Sequence, residues 1–237
     1  MKYLDMTLPT PAENLACDEA LLNFCEENGG ADILRVWEPA DYFVVVGYAN
    51  KVDVEVNRKN CEAQNIPILR RCSGGGAVVQ GPGCLNYSLI LNFSDNDLLQ
   101  TITQANHFVM ERQRQILQTH FGVEVAVEGH TDLAIAGLKF SGNAQRRKKT
   151  SLLFHGTFLL HFKISMIAEL LKMPSQQPSY RENRAHEKFL TNLWGPAAEL
   201  KQMLRGGWNA VSRFERTPDL SELLGERYRR DEWNFKF

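Results

Sequence analysis

No CxxC pair occurs in these 237 residues, and no cysteine follows Cys84. Cys17, Cys25, Cys61, Cys72 and Cys84 are odd in number. That argues against a cysteine-based metal centre and a disulfide framework, and predicts reduced thiols. No window approaches the roughly 18 uninterrupted apolar residues of a membrane-crossing helix. The opening MKYLDMTLPTPAENLACDEALL has no apolar core of signal-peptide length, so the expected compartment is the cytoplasm. Neither charge sign dominates: 27 Lys and Arg stand against 28 Asp and Glu. This balance predicts no electrostatic hold on nucleic acid or an anionic membrane. Repeats, low-complexity tracts and linkers are also missing, which predicts one domain over 1–237.

What is present is a mixed order of short elements. Leu15, Ala16, Leu21, Leu22 and Phe24 recur at helical spacing and predict an amphipathic helix over 14–27. Strands are expected at 33–37, 42–46, 66–70, 86–91, 123–127, 133–135 and 152–160. A long helix is expected over 97–121, with shorter ones at 164–171 and 197–204 and a helix opening at Thr217. The elements show no regular βαβ alternation. The fold class is therefore α+β, with mixed or antiparallel sheets and flanking helices.

Three segments carry chemistry. Arg70-Arg71-Cys72-Ser73-Gly74-Gly75-Gly76-Ala77-Val78 follows a strand. Glycines without Cβ let a ligand lie on the backbone. Their amides can form an anion-binding nest, and two adjacent arginines suit a carboxylate or phosphate. No Gly-Lys-Ser/Thr is present, so this is no Walker A loop; a tight hairpin with solvated arginines would look the same. Lys139 in KFSGNAQR sits between apolar neighbours. There it is either a fixed cation for a developing negative charge or a hairpin lysine on the surface. Arg146 to Lys149 is a basic run of the solvated-loop kind. His155 lies in the apolar strand LFHGTFLL, where a structural histidine is the commoner case. Asp132, beside His130 and Thr131, could hold a metal.

Taken in order, RRCSGGGAV, KFSGNAQR and HGTFLL resemble the lipoate–protein ligase A family of the biotin/lipoate ligase superfamily. Weaker matches at 14–19, 45–50, 217–220 and 232–235 extend the resemblance over the whole chain. The resemblance implies an acyl-adenylate-forming enzyme. It would join lipoate to ATP with Mg²⁺, then pass the lipoyl group from lipoyl-AMP to a lysine. The implied acceptor is a lipoyl domain of a 2-oxoacid dehydrogenase E2 or the glycine-cleavage H protein.

By position, the resemblance makes Lys139 catalytic and puts Arg71 near the phosphate of lipoyl-AMP. The other implied contacts are Ser73, Gly74, Gly75, Gly76, Ala77, Val78, Asp132, Ser141, Gly142, Ala144, His155, Gly156 and Thr157. Asp132 would lie near the metal, and the strand Val45-Val46-Gly47, with apolar residues near Val78, would wall an acyl tunnel. Ligases of this family usually carry a small C-terminal domain after the segment matched by Trp233-Asn234-Phe235. It is expected to be absent here, its lid supplied by a separate small protein or by the loop 145–150. Octanoyltransferases of the superfamily use a cysteine thioester; Cys84 and Cys72 are the candidate thiols for that alternative, although neither stands at the family's nucleophile position. A non-catalytic lipoate-binding module is the third reading. The Gly-Arg-Gly-Arg segment of biotin ligases is missing.

Overall fold

The computed structural model describes residues 1–30, 32–94 and 96–237. Among them, eleven strands form two sheets. The strands are β1 (Lys2–Asp5), β2 (Ile33–Trp37), β3 (Phe43–Val46), β4 (Ile68–Arg70), β5 (Val78–Gln80), β6 (Cys84–Asn92), β7 (Ala126–Glu128), β8 (Asp132–Ile135), β9 (Leu138–Arg147), β10 (Ser151–Leu159) and β11 (Ser212–Arg213). The large sheet has the order β11-β1-β2-β6-β10-β9-β8-β7, and the small one β4-β3-β5. β1 is parallel to β2 and β11, and β3 is parallel to β4; the remaining pairs are antiparallel. This is the mixed α+β architecture expected from the element order.

Strand alternation decides which side chains face the site, because successive residues point to opposite faces. Leu85, Tyr87, Leu89, Phe154 and Phe158 pack with Val109, Leu117, Leu200 and Leu204 of the helices Ile102–Phe121 and Ala197–Gly207. The residues between them, among them Asn86, Ser88, His155 and Thr157, therefore face the other way. That second face is covered by the helix Pro11–Asn28 and the small sheet, through Leu21, Leu22, Ile90 and Leu153 in one cluster and Leu15, Phe43 and Val45 in another.

Helix Pro11–Asn28 starts on a capping box. Thr10 accepts from the Glu13 amide, the Glu13 carboxylate accepts from the Thr10 amide, and Pro11 sits where no amide is needed. The amphipathic expectation fails in one respect: Asn14, Asp18 and Glu19 are buried with Leu15, Leu21 and Leu22. The helix is sandwiched, and its polar residues serve buried partners rather than solvent. The expected helix over 97–121 is divided, because Thr101 caps a new helix with Gln104 after the turn Asp97–Leu99. That helix ends at Gly122, φ +64°, whose amide bonds Gln118 O. The residues from Thr217 become helical only at Ser221–Leu223. Among the described residues no helix is long and apolar enough to cross a membrane.

Candidate functional site

The glycine segment is no hairpin. β4 and β5 lie on opposite sides of β3, so the chain must cross the end of β3, and residues 71–77 make that crossing. Gly75 needs its φ of +87°. Gly47 is needed for another reason: a Cβ there would lie 2.0 Å from Gly75 O. Tyr48 N donates to Ser73 O at 2.8 Å. Arg71, nearly buried, lies beneath the loop. Its Nη2 donates to Gly74 O at 2.6 Å and Gly76 O at 2.8 Å, and its Nε to Ser73 Oγ at 3.1 Å. Burial pushes the guanidinium down to about 10, which still leaves it charged at neutral pH. The loop's carbonyl groups are thus turned inward onto a cation. The amides of Gly74, Gly75 and Gly76 make no hydrogen bond among the described residues.

Arg70, offered by the sequence as the second cation of this loop, is not one. It is fully buried and donates to carbonyl oxygens of Gly47, Tyr48, Asn50, Trp233 and Asn234. A single arginine serves the loop.

Lys139 projects from β9 near a register shift at Leu133/Ala134 of β8. Its Nζ is 2.8 Å from Asp132 Oδ1. Tyr180 Oη donates to Asp132 Oδ2 at 2.9 Å. A Cβ on Gly142 would lie 2.9 Å from the Lys139 Cε and Nζ, so the missing side chain is the space in which the lysine lies. Gly142 and Thr157 are cross-strand partners, as are Ala144 and His155. The Ala144 Cβ is 3.7 Å from the position of a Cβ on Gly75. All three sequence segments therefore meet. Both oxygens of Asp132, the residue expected near a metal, are engaged by Lys139 and Tyr180. Among the described residues, no group of three or more His, Cys, Asp and Glu gathers to hold an ion.

His155 joins the loop to the buried helix. Its Nε2 is 2.6 Å from Ser73 Oγ and its Nδ1 is 3.5 Å from Asp18 Oδ2. Asp18 Oδ1 in turn pairs with Arg35 Nη1 at 2.6 Å, and Arg35 Nη2 donates to Asn14 Oδ1 at 2.7 Å. Burial opposes ionisation of Asp18, but Arg35 and the hydrogen-bonded His155 outweigh it and hold the carboxyl below its ordinary range. Gly156 has a structural cause: its Cβ would strike Asn143 Oδ1 at 1.6 Å. Thr157 Oγ1 accepts from Gln80 Nε2 at 2.6 Å and donates to Asn86 Oδ1 at 2.5 Å.

Arg71, Gly74 to Val78, Asp132, Lys139, Ser141, Gly142, Ala144 and His155 to Thr157 line a cavity of about 750 Å³; Ser73, fully buried behind His155, does not reach it. Leu15, Trp37, Val45, Val78 and Val79 give it an apolar part; Val46 does not reach it. Its other wall is the segment 171–190, which contributes Lys172, Arg181 and His186. Sequence reading missed that wall. The segment has no glycine run or strand pattern, and only its cations and Tyr180 hint at a role. The loop 145–150, expected as an internal lid, is instead the end of β9 and a tight turn. The Glu26 carboxylate accepts from the amides of Lys149, Thr150 and Ser151 and fixes that turn. Neither candidate thiol lines the cavity. Burial pushes Cys84 up to about 12, and burial together with Glu19 does the same to Cys72, so neither supplies thiolate near neutrality.

A sequence profile described as the lipoyl protein ligase A/B catalytic domain matches residues 10–201. An octanoyltransferase LipM from Anoxybacillus flavithermus is 27% identical, over 99% of this chain and 98% of its own. Two solved structures share the fold. One is a bi-partite lipoate protein ligase from Thermoplasma acidophilum, described with its E2 lipoyl domain (TM-score 0.81, 24% identity, 99% of this chain and 96% of that one). The other is a lipoate-protein ligase A bound with ATP (TM-score 0.79, 24% identity, 99% of both).

Proposed function

We propose, for a chain that belongs to the lipoyl protein ligase A/B catalytic domain family, that it activates lipoate with ATP and transfers the lipoyl group to a protein lysine. One observation carries this reading: Lys139 and the glycine loop, whose amides have no partner among the described residues, line one cavity that neither Cys72 nor Cys84 reaches. Adenylation joins the lipoate carboxylate to the α-phosphorus of ATP and expels pyrophosphate. The glycine amides and Lys139 are fixed donors for the oxygens that gain charge in that step. To bind them, Lys139 exchanges its Asp132 contact for phosphate and carboxyl oxygens. In the second step an acceptor ε-amine attacks the acyl carbon, the C–O bond to AMP breaks, and the amine's proton leaves to solvent.

Asp132 suits Mg²⁺ as a single protein carboxylate, since Mg²⁺ is commonly held by one or two carboxylates plus nucleotide phosphates. Bound there, the ion would neutralise phosphate charge. The apolar walls at Trp37, Val45 and Val79 suit the acyl chain. The acceptor is a lipoyl domain of a 2-oxoacid dehydrogenase E2 or the glycine-cleavage H protein. The bi-partite ligase described with its E2 lipoyl domain supports a lipoyl domain as acceptor. The reading keeps the enzyme in the cytoplasm.

The likeness to an octanoyltransferase keeps a second reading open, ATP-independent transfer between carriers. The burial of Cys72 and Cys84 speaks against a thioester route. The deciding experiment incubates the chain with lipoate, ATP, Mg²⁺ and an apo-lipoyl domain, and in parallel with an octanoylated carrier without ATP. Mass spectrometry of the acceptor should show lipoylation in the first mixture. Acylation only in the second, with an acyl adduct on this chain, would replace the ligase by the transferase.

A further inference from the structure

Arg70 leaves a question the site does not answer: why a fully buried guanidinium should have no acidic partner among the described residues. Its contacts fall on two segments. On one side Nη1 donates to Gly47 O at 2.8 Å, Tyr48 O at 3.1 Å and Asn50 O at 2.8 Å. On the other, Nε donates to Trp233 O and Nη2 to Asn234 O, each at 3.1 Å. The backbone of Arg70 repeats the link, its amide donating to Asn234 Oδ1 at 3.0 Å and its carbonyl accepting from Trp233 Nε1 at 2.9 Å. Phe237 O accepts from Val52 N at 3.3 Å. The Lys236 ammonium lies 3.5 Å from the Tyr48 ring centre and 4.0 Å from that of Trp233. A planar fork of five donors is suited to such a joint.

The turn held this way touches the ligand loop. Tyr48 N bonds Ser73 O, and Gly47 has no room for a Cβ because of Gly75 O. The segment 233–237 adds little to the core. Phe235 and Phe237 remain exposed, and only Asn234 is buried. Outside its own helical turn, most of its hydrogen bonds go to Arg70, with Val52 and Tyr228 as the further partners. We propose that Trp233–Phe237 is a positioning element for the ligand loop, acting through Arg70 and the turn 47–50 on Ser73 and Gly75. The consequence for substrate affinity rests on the lipoate reading above; the mechanical coupling does not.

The test uses the full chain carrying Asn234→Ala, with Lys236→Ala as a milder variant and Asn234→Asp as the conservative one that keeps an acceptor for the Arg70 amide. Hydrogen exchange of the Tyr48 amide is measured without ligand, and KM and kcat for lipoate with ATP. Asn234→Ala should speed Tyr48 exchange roughly three- to tenfold, the scale of one lost hydrogen bond, and raise KM by a similar factor. Exchange at Leu89 and Phe154 and the value of kcat should stay at wild-type levels, and Asn234→Asp should restore both altered readings. If Asn234→Ala does not fold, the same changes, smaller in size, are expected of Lys236→Ala. Loosened amides at 233–237 with Tyr48 exchange or KM unmoved would overturn the proposal. If the wild type turns over no lipoate, the exchange result alone decides the coupling, and only the lipoate reading falls.

Discussion

Glycine residues record two different demands at this site. At Gly47 and Gly156 a Cβ would strike the Gly75 carbonyl and the hydrogen-bonded Asn143 side chain, so the packing requires them, whereas at Gly142 it would crowd only the movable end of Lys139. At Gly74 and Gly76 a Cβ would meet nothing within 4 Å, and neither has a positive φ. No protein neighbour explains their smallness; a ligand lying on the loop would. Gly74→Ala is therefore expected to keep unfolding free energy within ~0.5 kcal/mol of wild type, as a surface change does, and to weaken lipoate or ATP binding roughly tenfold, measured by calorimetry. Unchanged binding would remove the loop from the ligand site. Gly47→Ala should lose binding with a loss of stability as well, since the clash is with backbone. The thiols give the opposite expectation. Cys72→Ser and Cys84→Ser should keep most ATP-dependent activity, and an acyl adduct at either position would contradict that.

At the scale of elements, the sequence was legible where periodicity and caps agree, and less so where burial overrides them. β2, β10 and the helix 197–207 lie where apolar spacing put them. The helix 11–28 carries a pattern that counts Asp18 and Glu19 as solvent-facing, yet both are buried because Arg35, Tyr228 and Arg227 need them. Those partners are 17 to 209 residues away, and local spacing cannot reveal them. The Asp18–Arg35 pair has a pH signature. The Asp18 pKa is depressed in the folded chain, so its contribution to stability is complete above the ordinary value of 3.8. It is lost as pH falls below that through the folded value. Asp18→Asn strands a buried cation and should cost about 3 kcal/mol at pH 7, with the gap in urea midpoint narrowing toward pH 3. A gap that stays constant with pH would show that the carboxylate charge is not what matters.

Over the whole molecule, the site lies where the small sheet and the helix 11–28 cover one face of the large sheet. The three motifs could be read from sequence because glycine runs, an isolated lysine and an isolated histidine stand out locally. Their meeting depends on register, with Gly142 opposite Thr157 and Ala144 opposite His155, which no single segment encodes. Equally hidden was the wall 171–190, whose Tyr180 is tied to Asp132 across 48 residues. In the proposed reaction Lys139, released from Asp132, stabilises charge on an acyl-adenylate. Supplying preformed lipoyl-AMP and an apo-lipoyl domain isolates that step from adenylation and from any accessory protein. The wild-type chain should lipoylate the domain in a single turnover, and Lys139→Ala should do so roughly 10²-fold more slowly with its fold intact. Equal rates for the two proteins, or no transfer by the wild type, would contradict the account.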